Sequence, residues 1–188
     1  MSTFTRRAIM DSCIRLLEEH PYDKLTVKDI VEDCGINRNT FYYHFADLPT
    51  LVKEIIKEAT EKTLKENIGV TSLWLCVSQA IEFILQHKRA VLHMYRSANR
   101  DVVEQYIFDI CHHAVTQYIE RAQQELPGVS VQPEDKRIII QAYTCECVGE
   151  IIHWMNGGMK GDFSGDMVRL CKLREGATKE MLLRSARI

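Results

Sequence analysis

Two helix-start signals on either side of a single glycine constrain this chain more than any other feature of its sequence. The stretch 26–29 has the pattern of a capping box, in which the Thr26 hydroxyl and the Asp29 carboxylate bind free amides of a first helical turn. Gly35 can adopt the left-handed conformation that ends such a helix, and Asn37 is a favourable N-cap for the next one. The sequence therefore predicts two short helices joined by a turn of about three residues.

Helices are predicted for the rest of the chain as well. Only four of the 188 residues are proline and nine are glycine, and apolar residues recur three and four positions apart. We predict an all-α protein of about nine helices: a three-helix domain over 1–47, and a helical domain over 48–188 whose first helix, about 48–66, links the two. Later helices are predicted over about 73–87, 90–98, 101–125 and 133–156, and one last helix carries Met167, Leu170, Cys171, Met181 and Leu182.

The second short helix concentrates hydrogen-bonding and aromatic side chains on one side. Phe41 and Phe45 are predicted to face inward with Ile36, whereas the outward side carries Arg38, Asn39, Tyr42 and Tyr43. Arginine can pair with guanine and asparagine with adenine, and tyrosine can reach phosphates and thymine methyl groups. Two short helices with a glycine turn, behind a supporting helix, form a helix-turn-helix, whose second helix ordinarily enters the DNA major groove. The alternative is a helical hairpin with a solvated polar face, but two adjacent exposed tyrosines favour a binding role.

The net charge is a poor indicator of nucleic-acid binding in this chain. With a formal charge of −2 and a pI near 6.4, the protein has no global basic field, so any binding must be local. Up to residue 47 there are six basic and eight acidic side chains. This balance suggests, as another alternative, a helical adaptor that has lost DNA binding, but Arg38, Thr40, Tyr42 and His44 argue against it.

Residues from about 5 to 55 resemble the N-terminal DNA-binding domain of the TetR/AcrR-family transcriptional regulators. The positions that carry the resemblance are Tyr22, Leu25, Thr26, Val27, Ile30, Gly35, Ile36 and the run 40–45, TFYYHF. The resemblance implies a sequence-specific transcriptional regulator, with a repressor released from its double-stranded operator by a small-molecule effector as the main expectation. The alternatives are an activator, or an adaptor controlled by a protein partner, and, less favoured, a metal-binding helical-bundle sensor or enzyme. No enzymatic activity and no cofactor are expected.

The resemblance also implies roles for individual residues. Thr26 would touch phosphate, Tyr42 and His44 would grip the DNA backbone, and Arg38, Asn39, Thr40 and Tyr43 would face bases. Leu48 and Pro49 stand where many members have lysine, so Lys53 becomes the candidate for that phosphate contact. The full predicted DNA-binding set is Thr26, Lys28, Asn37, Arg38, Asn39, Thr40, Tyr42, Tyr43, His44 and Lys53.

The helix predicted over 133–156 is apolar almost all round, and its apolar side chains cannot all face the core of one monomer. A homodimer whose last two helices form a four-helix bundle supplies a second apolar surface, and it matches the arrangement in TetR-like proteins. The predicted interface residues are Ile151, Ile152, Trp154 and Met155. The alternative is a central helix wrapped within one subunit.

Aromatic, methionine and histidine side chains of the middle helices are candidates for an effector pocket: Phe83, His87, Met94, Tyr95, Tyr106, His113 and Tyr143. Aromatic residues at helical spacing more often belong to a core.

Glu150 and His153 form a Glu-x-x-His pair of the kind found in di-iron bundles, but the chain holds only one copy. Cys145 and Cys147 point to different sides of the helix, so no metal site is predicted.

Cellular location is predicted from cysteines and hydropathy. Seven cysteines, an odd number, are scattered through helical segments, which indicates reduced core thiols. No stretch approaches the roughly 20 apolar residues of a membrane span, and the first residues lack the apolar segment of a signal peptide. We expect a cytoplasmic protein without a membrane partner.

Overall fold

The computed structural model describes residues 2–66, 81, 82, 84–98 and 100–186. Helices account for the regular structure of this part of the chain, which contains no strand, and the all-α prediction is confirmed. Their bounds are α1 Ser2–Glu19, a 3-10 helix Tyr22–Lys24, α2 Val27–Cys34, α3 Arg38–His44, α4 Leu48–Glu66, α5 Lys88–Tyr95, α6 Arg100–Gln124, α7 Pro133–Asn156, α8 Phe163–Leu173 and α9 Ala177–Ser185. Most of the helix predicted over 73–87 lies outside the described residues. The part of it that the structure describes is helical at 81, 82 and 84–86.

Contacts along the chain define two compact units. One, here called the head unit, comprises Met1–Lys62 and Phe83–Tyr106, and the other, the body unit, comprises Thr63–Glu82 and Ile107–Ile188. The domain boundary predicted at residue 47 stays a prediction. In the structure, α5 and the greater part of α4 belong to the head unit with α1–α3.

The head unit is built on α1, which packs against α2 and α5. Ile9, Cys13 and Leu17 recur at helical spacing on α1 and are buried, as the apolar pattern predicts. Burial raises the pKa of the Cys13 thiol to about 12, so it stays protonated. The end of α1 is held to α5 by the His93 imidazole, whose Nδ1 lies 2.7 Å from the Leu17 carbonyl oxygen.

The body unit surrounds an apolar cluster drawn from α6, α7, α9 and the loop after α6: Val115, Ile119, Leu126, Val131, Tyr143 and Leu182. Two hydroxyl groups converge on a third beside this cluster. The Thr178 Oγ1 lies 2.9 Å from the Tyr143 hydroxyl and 3.1 Å from the Tyr118 hydroxyl. This shared hydrogen bonding ties α6, α7 and α9 together.

The last predicted helix is divided in the structure, which corrects the sequence-based expectation. Leu170 and Cys171 lie on α8, whereas Leu182 lies on α9, and Gly176 separates the two with a φ of 82°. A left-handed residue cannot continue a right-handed helix, and glycine adopts that conformation at no steric cost. No residue of α8 is buried. Among the described residues, no helix is both long and apolar enough to cross a membrane.

Candidate nucleic-acid interface

The start and end of α2 are fixed by residues adjacent in sequence. The Thr26 amide donates to Asp29 Oδ2 at 2.8 Å, and the Asp29 amide donates to Thr26 Oγ1 at 3.3 Å, so the predicted capping box is confirmed. Donation from the Thr26 hydroxyl and amide lowers the pKa of Asp29 below its ordinary value. At the other end Gly35 has a φ of 66°, and the Ile36 amide donates to the Val31 carbonyl at 3.0 Å.

Helix α3 begins at a second local cap. Asn37 has an extended backbone, and its Oδ1 accepts the Thr40 amide at 2.9 Å and the Thr40 hydroxyl at 3.1 Å. The predicted N-cap is therefore confirmed. Asn37 and Thr40, both in the predicted DNA-binding set, are bound to each other. Of these two side chains, the NH2 group of Asn37 keeps its donors for a ligand, because the Thr40 hydroxyl donates to Asn37.

The two sides of α3 separate apolar from polar groups as predicted. Phe41 and Phe45 are buried, with 0% and 2% of their surface exposed, whereas Tyr42 is 54% and Tyr43 79% exposed. Arg38 and Asn39 are exposed beside them. This leaves a row of hydrogen-bonding and aromatic side chains open to solvent on a helix whose other side is anchored in the core.

Aromatic contacts hold the exposed rings of α3 in defined orientations. The Tyr42 ring meets the Phe41 ring edge to face, with centroids 5.5 Å apart and planes at 88°. Tyr43 and His44 are paired in the same way, at 5.0 Å and 85°. Such contacts reduce the rotamer freedom that the side chains would lose on binding a ligand.

The other predicted DNA contacts lie on the helices that flank α3. Lys28 is on the first turn of α2, and its ammonium group is 3.7 Å from the Glu32 carboxylate on the exposed surface. Lys53 is exposed near the start of α4, whose N-cap is Asp47 through a 2.7 Å bond from the Thr50 amide. All ten predicted residues thus belong to the head unit, and seven of them lie on α3 or at its N-cap.

One residue of this region was missed by sequence reasoning. Arg6 on α1 places its guanidinium carbon 5.3 Å from the centroid of the Phe45 ring, at the end of α3. It also pairs with Glu54 and Glu58 of α4. The signal available in the sequence was the spacing of the two glutamates, which lie one turn apart and face the same way.

The residues predicted to line an effector pocket are distributed between the two units, and Phe83 lies outside the described residues. The head unit contains His87, Met94, Tyr95 and Tyr106, the last three of them buried. The His87 Nδ1 is 3.6 Å from the Glu18 carboxylate, and the Arg100 guanidinium lies 4.6 Å from the Tyr95 ring centroid. The body unit contains His113, which bonds to Gln117, and Tyr143, which bonds to Thr178.

The residues predicted for the dimer interface are largely buried within the single chain. Ile151, Trp154 and Met155 are buried, and Ile152 is half-buried. The Trp154 ring stacks on Phe163 with centroids 4.7 Å apart. The exposed stripe of α7 instead follows Ile138, Ala142, Cys145 and Gly149. A helical wheel of an apolar helix cannot tell these two sides apart, because both are apolar.

The Glu-x-x-His pair of α7 stands without further metal ligands in the described part of the chain. Nowhere among these residues do three or more His, Cys, Asp or Glu side chains form a group that could hold a metal ion. Glu146, one turn before Glu150, forms an ion pair with Arg174. That pair raises the pKa of Arg174, chiefly through its hydrogen bond to the carboxylate.

Comparison with known proteins agrees with this geometry in the head. A family model described as bacterial regulatory proteins, tetR family, matches residues 9–59. A repressor of the helix-turn-helix type from Mycobacterium tuberculosis is 35% identical over 57 residues, which are 30% of this chain and 30% of that protein. An uncharacterised regulator of the same type from Haemophilus influenzae is 34% identical over 56 residues, 29% of this chain and 27% of its own. The chain therefore aligns with less than a third of the length of either relative.

The remainder of the chain is matched at the levels of family and fold. A second family model, described as a transcriptional regulator C-terminal region, matches residues 75–170, about half of the chain. Among solved structures, the dihydroxyacetone kinase operon activator DhaS superposes with a TM-score of 0.72 over 97% of this chain and 96% of its own. At 13% identity this likeness shows a common fold. With residues 9–59 and 75–170 matched by regulator models, and the capped α2–α3 pair inside the first of these ranges, this chain belongs to the TetR family of bacterial transcriptional regulators.

Proposed function

We propose that the protein is a sequence-specific DNA-binding repressor whose helix α3 reads the major groove. The observation that carries this proposal is the division of α3 into a buried side, Phe41 and Phe45, and an exposed side with Tyr42 and Tyr43. A helix anchored in this way can enter a groove about 12 Å wide without exposing its core. The relative from Mycobacterium tuberculosis that shares the head is named a repressor, which supports repression.

Each exposed side chain has a role in this proposal that its chemistry permits. Arg38 makes no ion pair with any described side chain, so its guanidinium is available for a guanine, and the adjacent Asn39 suits adenine. Tyr42 and His44 would bind the phosphate backbone, and Tyr43 would contact bases. The backbone amides of the first turn of α2, beside Thr26, would donate hydrogen bonds to a DNA phosphate.

A homodimer is part of the proposal because α7 and α8 leave apolar surface uncovered. Leu173 of α8 is 77% exposed, and Val168 on the same helix and Ile138 on α7 are exposed as well. A second copy related by two-fold symmetry can cover both helices at once and form a four-helix bundle. Two linked heads would then read half-sites roughly 34–36 Å apart, or a multiple of that distance.

Release by a small-molecule effector is the third element of the proposal. The body unit contains a buried donor, the Trp154 indole N–H, for which the described residues supply no hydrogen-bond acceptor. A buried donor without a partner is costly, and a ligand with an acceptor group could satisfy it. Such a ligand would release DNA only if it bound the DNA-free arrangement of the heads more tightly than the DNA-bound one.

The test is a selection of duplexes from a random pool by the purified full chain, followed by binding measurements on the selected sequence. Replacing Arg38 by alanine should weaken binding by about 1–3 kcal/mol and relax the base preference at one position, whereas Tyr42→Phe should weaken all sequences alike. The proposal is rejected if the wild type selects no sequence, or if both variants bind as the wild type does.

A reporter gene placed behind the selected sequence then determines the direction of control. Lower expression in the presence of the protein supports repression. Higher expression, or regulation only with a second protein present, favours the alternative of an activator or a partner-controlled adaptor. A thermal-shift screen of small molecules, with operator binding measured for each ligand found, tests the effector separately. True ligands that leave DNA affinity unchanged would contradict release by an effector.

A further inference from the structure

Arg6 connects three elements of the head unit through one guanidinium group. From its position on α1, its Nη2 donates to Glu54 Oε2 at 3.0 Å and its Nη1 donates to the Glu58 carboxylate, both on α4. The same group lies over the ring of Phe45, the C-cap of α3, with 5.3 Å from its carbon to the ring centroid. The Met10 sulfur accepts a further hydrogen bond at 3.3 Å.

The geometry of these contacts suits a group that fixes orientation. Arginine presents its donors in a rigid planar fork and stacks on aromatic rings, so it can hold two carboxylates and a ring at once. Its side chain is 30% exposed, and the two glutamates are 38% and 37% exposed, so solvent screens the pairs only partly. Arg7 reaches the same Glu58 at 3.7 Å but also pairs with Asp11, and it is 64% exposed.

The place of these contacts matters for recognition. The reading helix α3 has only seven residues and ends at His44, with Phe45 as its C-cap, and α4 begins at Leu48. A helix this short has few contacts of its own to resist rotation about its ends. The guanidinium of Arg6 holds the last turn of α3 and the second and third turns of α4 to the same point on α1.

We infer that Arg6 is a positioning residue for DNA reading, which sets the orientation of α3 by joining Phe45 to Glu54 and Glu58, and that it does not itself contact DNA. This inference rests on the proposed function. It separates Arg6 from the phosphate-binding side chains of the head, because both of its terminal nitrogens already donate to carboxylates of α4.

The experiment measures binding of the full chain to two duplexes, the sequence selected by the wild type and a scrambled duplex of equal length. Each dissociation constant is taken at several salt concentrations between about 50 and 200 mM. The temperature of the measurement lies well below the thermal unfolding midpoint of the variant. Arg6→Gln should raise the dissociation constant for the selected duplex by roughly tenfold, about the value of one modest base contact, and leave the scrambled duplex unchanged. The salt dependence should keep its wild-type slope.

Two results would overturn the inference. If Arg6 binds phosphate, both duplexes lose affinity together and the magnitude of the salt slope falls by about 0.9. If Arg6 serves stability alone, the unfolding midpoint falls while both dissociation constants stay at the wild-type value. A wild type that selects no duplex rejects the inference together with the proposed function, whereas selective wild-type binding with an equally selective Arg6→Gln rejects the inference alone.

Matched variants keep the test informative if Arg6→Gln is unstable. Arg6→Lys keeps the charge but loses the fork, and Glu54→Gln removes one anchor from the α4 side, so each should reproduce part of the loss of selectivity. Arg7→Gln is the control, because Arg7 shares Glu58 but lacks the ring contact, and its effect should stay within about twofold. Loss of selectivity in Arg7→Gln equal to that in Arg6→Gln would contradict the assignment.

Discussion

The segment from α2 to α3 and the segment from α7 to α9 are held together in opposite ways. In the first, the caps at Thr26 and Asn37 bind amides three residues along the chain. In the second, α7 has no side-chain cap of its own, and the Gln132 amide donates to Ser185 Oγ, 53 residues away. The Ser185 hydroxyl in turn donates to Asp135 at 2.7 Å.

This difference shows where the stability of each region comes from. The α2–α3 geometry depends on bonds that can form as soon as the two helices exist. The α7–α9 geometry depends on partners such as Tyr143 and Thr178, 35 residues apart, and Tyr118 and Thr178, 60 residues apart. Contacts of such separation carry the entropic cost of closing a long loop, so the second region must form cooperatively.

The largest expected effect comes from removing the apolar anchor of the local segment. Phe41→Ala deletes a ring that is 0% exposed, and the lost burial and the cavity should cost about 3–5 kcal/mol. DNA binding should be lost, and the unfolding midpoint in urea should fall. Tyr43→Ala on the same helix is the control, because an exposed ring should change stability by less than about 0.5 kcal/mol. Equal destabilisation by both variants would contradict the assigned sides of α3.

A smaller effect is expected where the long-range hydrogen bonds of the body meet. Thr178→Val leaves the Tyr143 and Tyr118 hydroxyls without their common partner, at a cost of about 1–3 kcal/mol, because Tyr143 is buried. Thr178→Ser keeps the hydroxyl and should retain most of the stability. Urea unfolding of the two variants is the measurement, and a valine variant as stable as the wild type, or less destabilised than the serine variant, would contradict a role for the hydrogen bonding.

The local cap at the start of α3 should be worth less again. Asn37→Ala removes the acceptor of the Thr40 amide and should cost about 1 kcal/mol. Asn37→Ser restores an acceptor and should recover most of that loss. Thermal unfolding followed by circular dichroism provides the comparison. A serine variant as unstable as the alanine variant would mean that the cap bond contributes little.

The smallest effect is expected from protonating the cap of α2. Hydrogen bonds from Thr26 lower the pKa of Asp29 in the folded state, so its contribution is present above the unfolded pKa near 4 and is lost as pH falls through the folded value. The unfolding midpoint of the wild type should therefore fall more steeply below about pH 4 than that of Asp29→Asn, whose amide does not titrate. Asp29 is only half-buried, so solvent screening keeps the difference below that of the Asn37 cap. Parallel acid curves would contradict a titrating cap.

The same contrast decides what the sequence could reveal. The capping box, the left-handed Gly35 and the Asn37 cap were predictable because each depends on residues within a few positions. The bounds of α7 were predictable for a similar reason, with Pro133 in its first turn and a glycine after Asn156. The break at Gly176 was missed, since an isolated glycine within an apolar helical pattern does not by itself end a helix.

Side-chain environments in the body were less predictable than its helices. Tyr143 was predicted as a pocket residue from its residue type alone. Its hydroxyl bonds to Thr178, and only the folded chain brings this partner close. Trp154 was assigned to the dimer interface from an apolar pattern that runs all round its helix, and that assignment stays a prediction. Its stacking on Phe163 could not be predicted from the same pattern. Arg6 had no local signal beyond its charge, because Glu54 is 48 residues away.

If α3 reads DNA as proposed, its length sets a limit on how much information one head can extract. Seven residues span roughly 10 Å at about 1.5 Å per residue. That is about three base pairs at roughly 3.4 Å each. Four distinguishable base pairs give at most about two bits per position, so the two heads of the proposed dimer would obtain roughly twelve bits. Specifying one binding site among about a million genomic positions takes roughly twenty bits of sequence information. A selected motif that contains well above twelve bits would show that residues outside α3, or a second dimer on the same operator, supply the remaining sequence information.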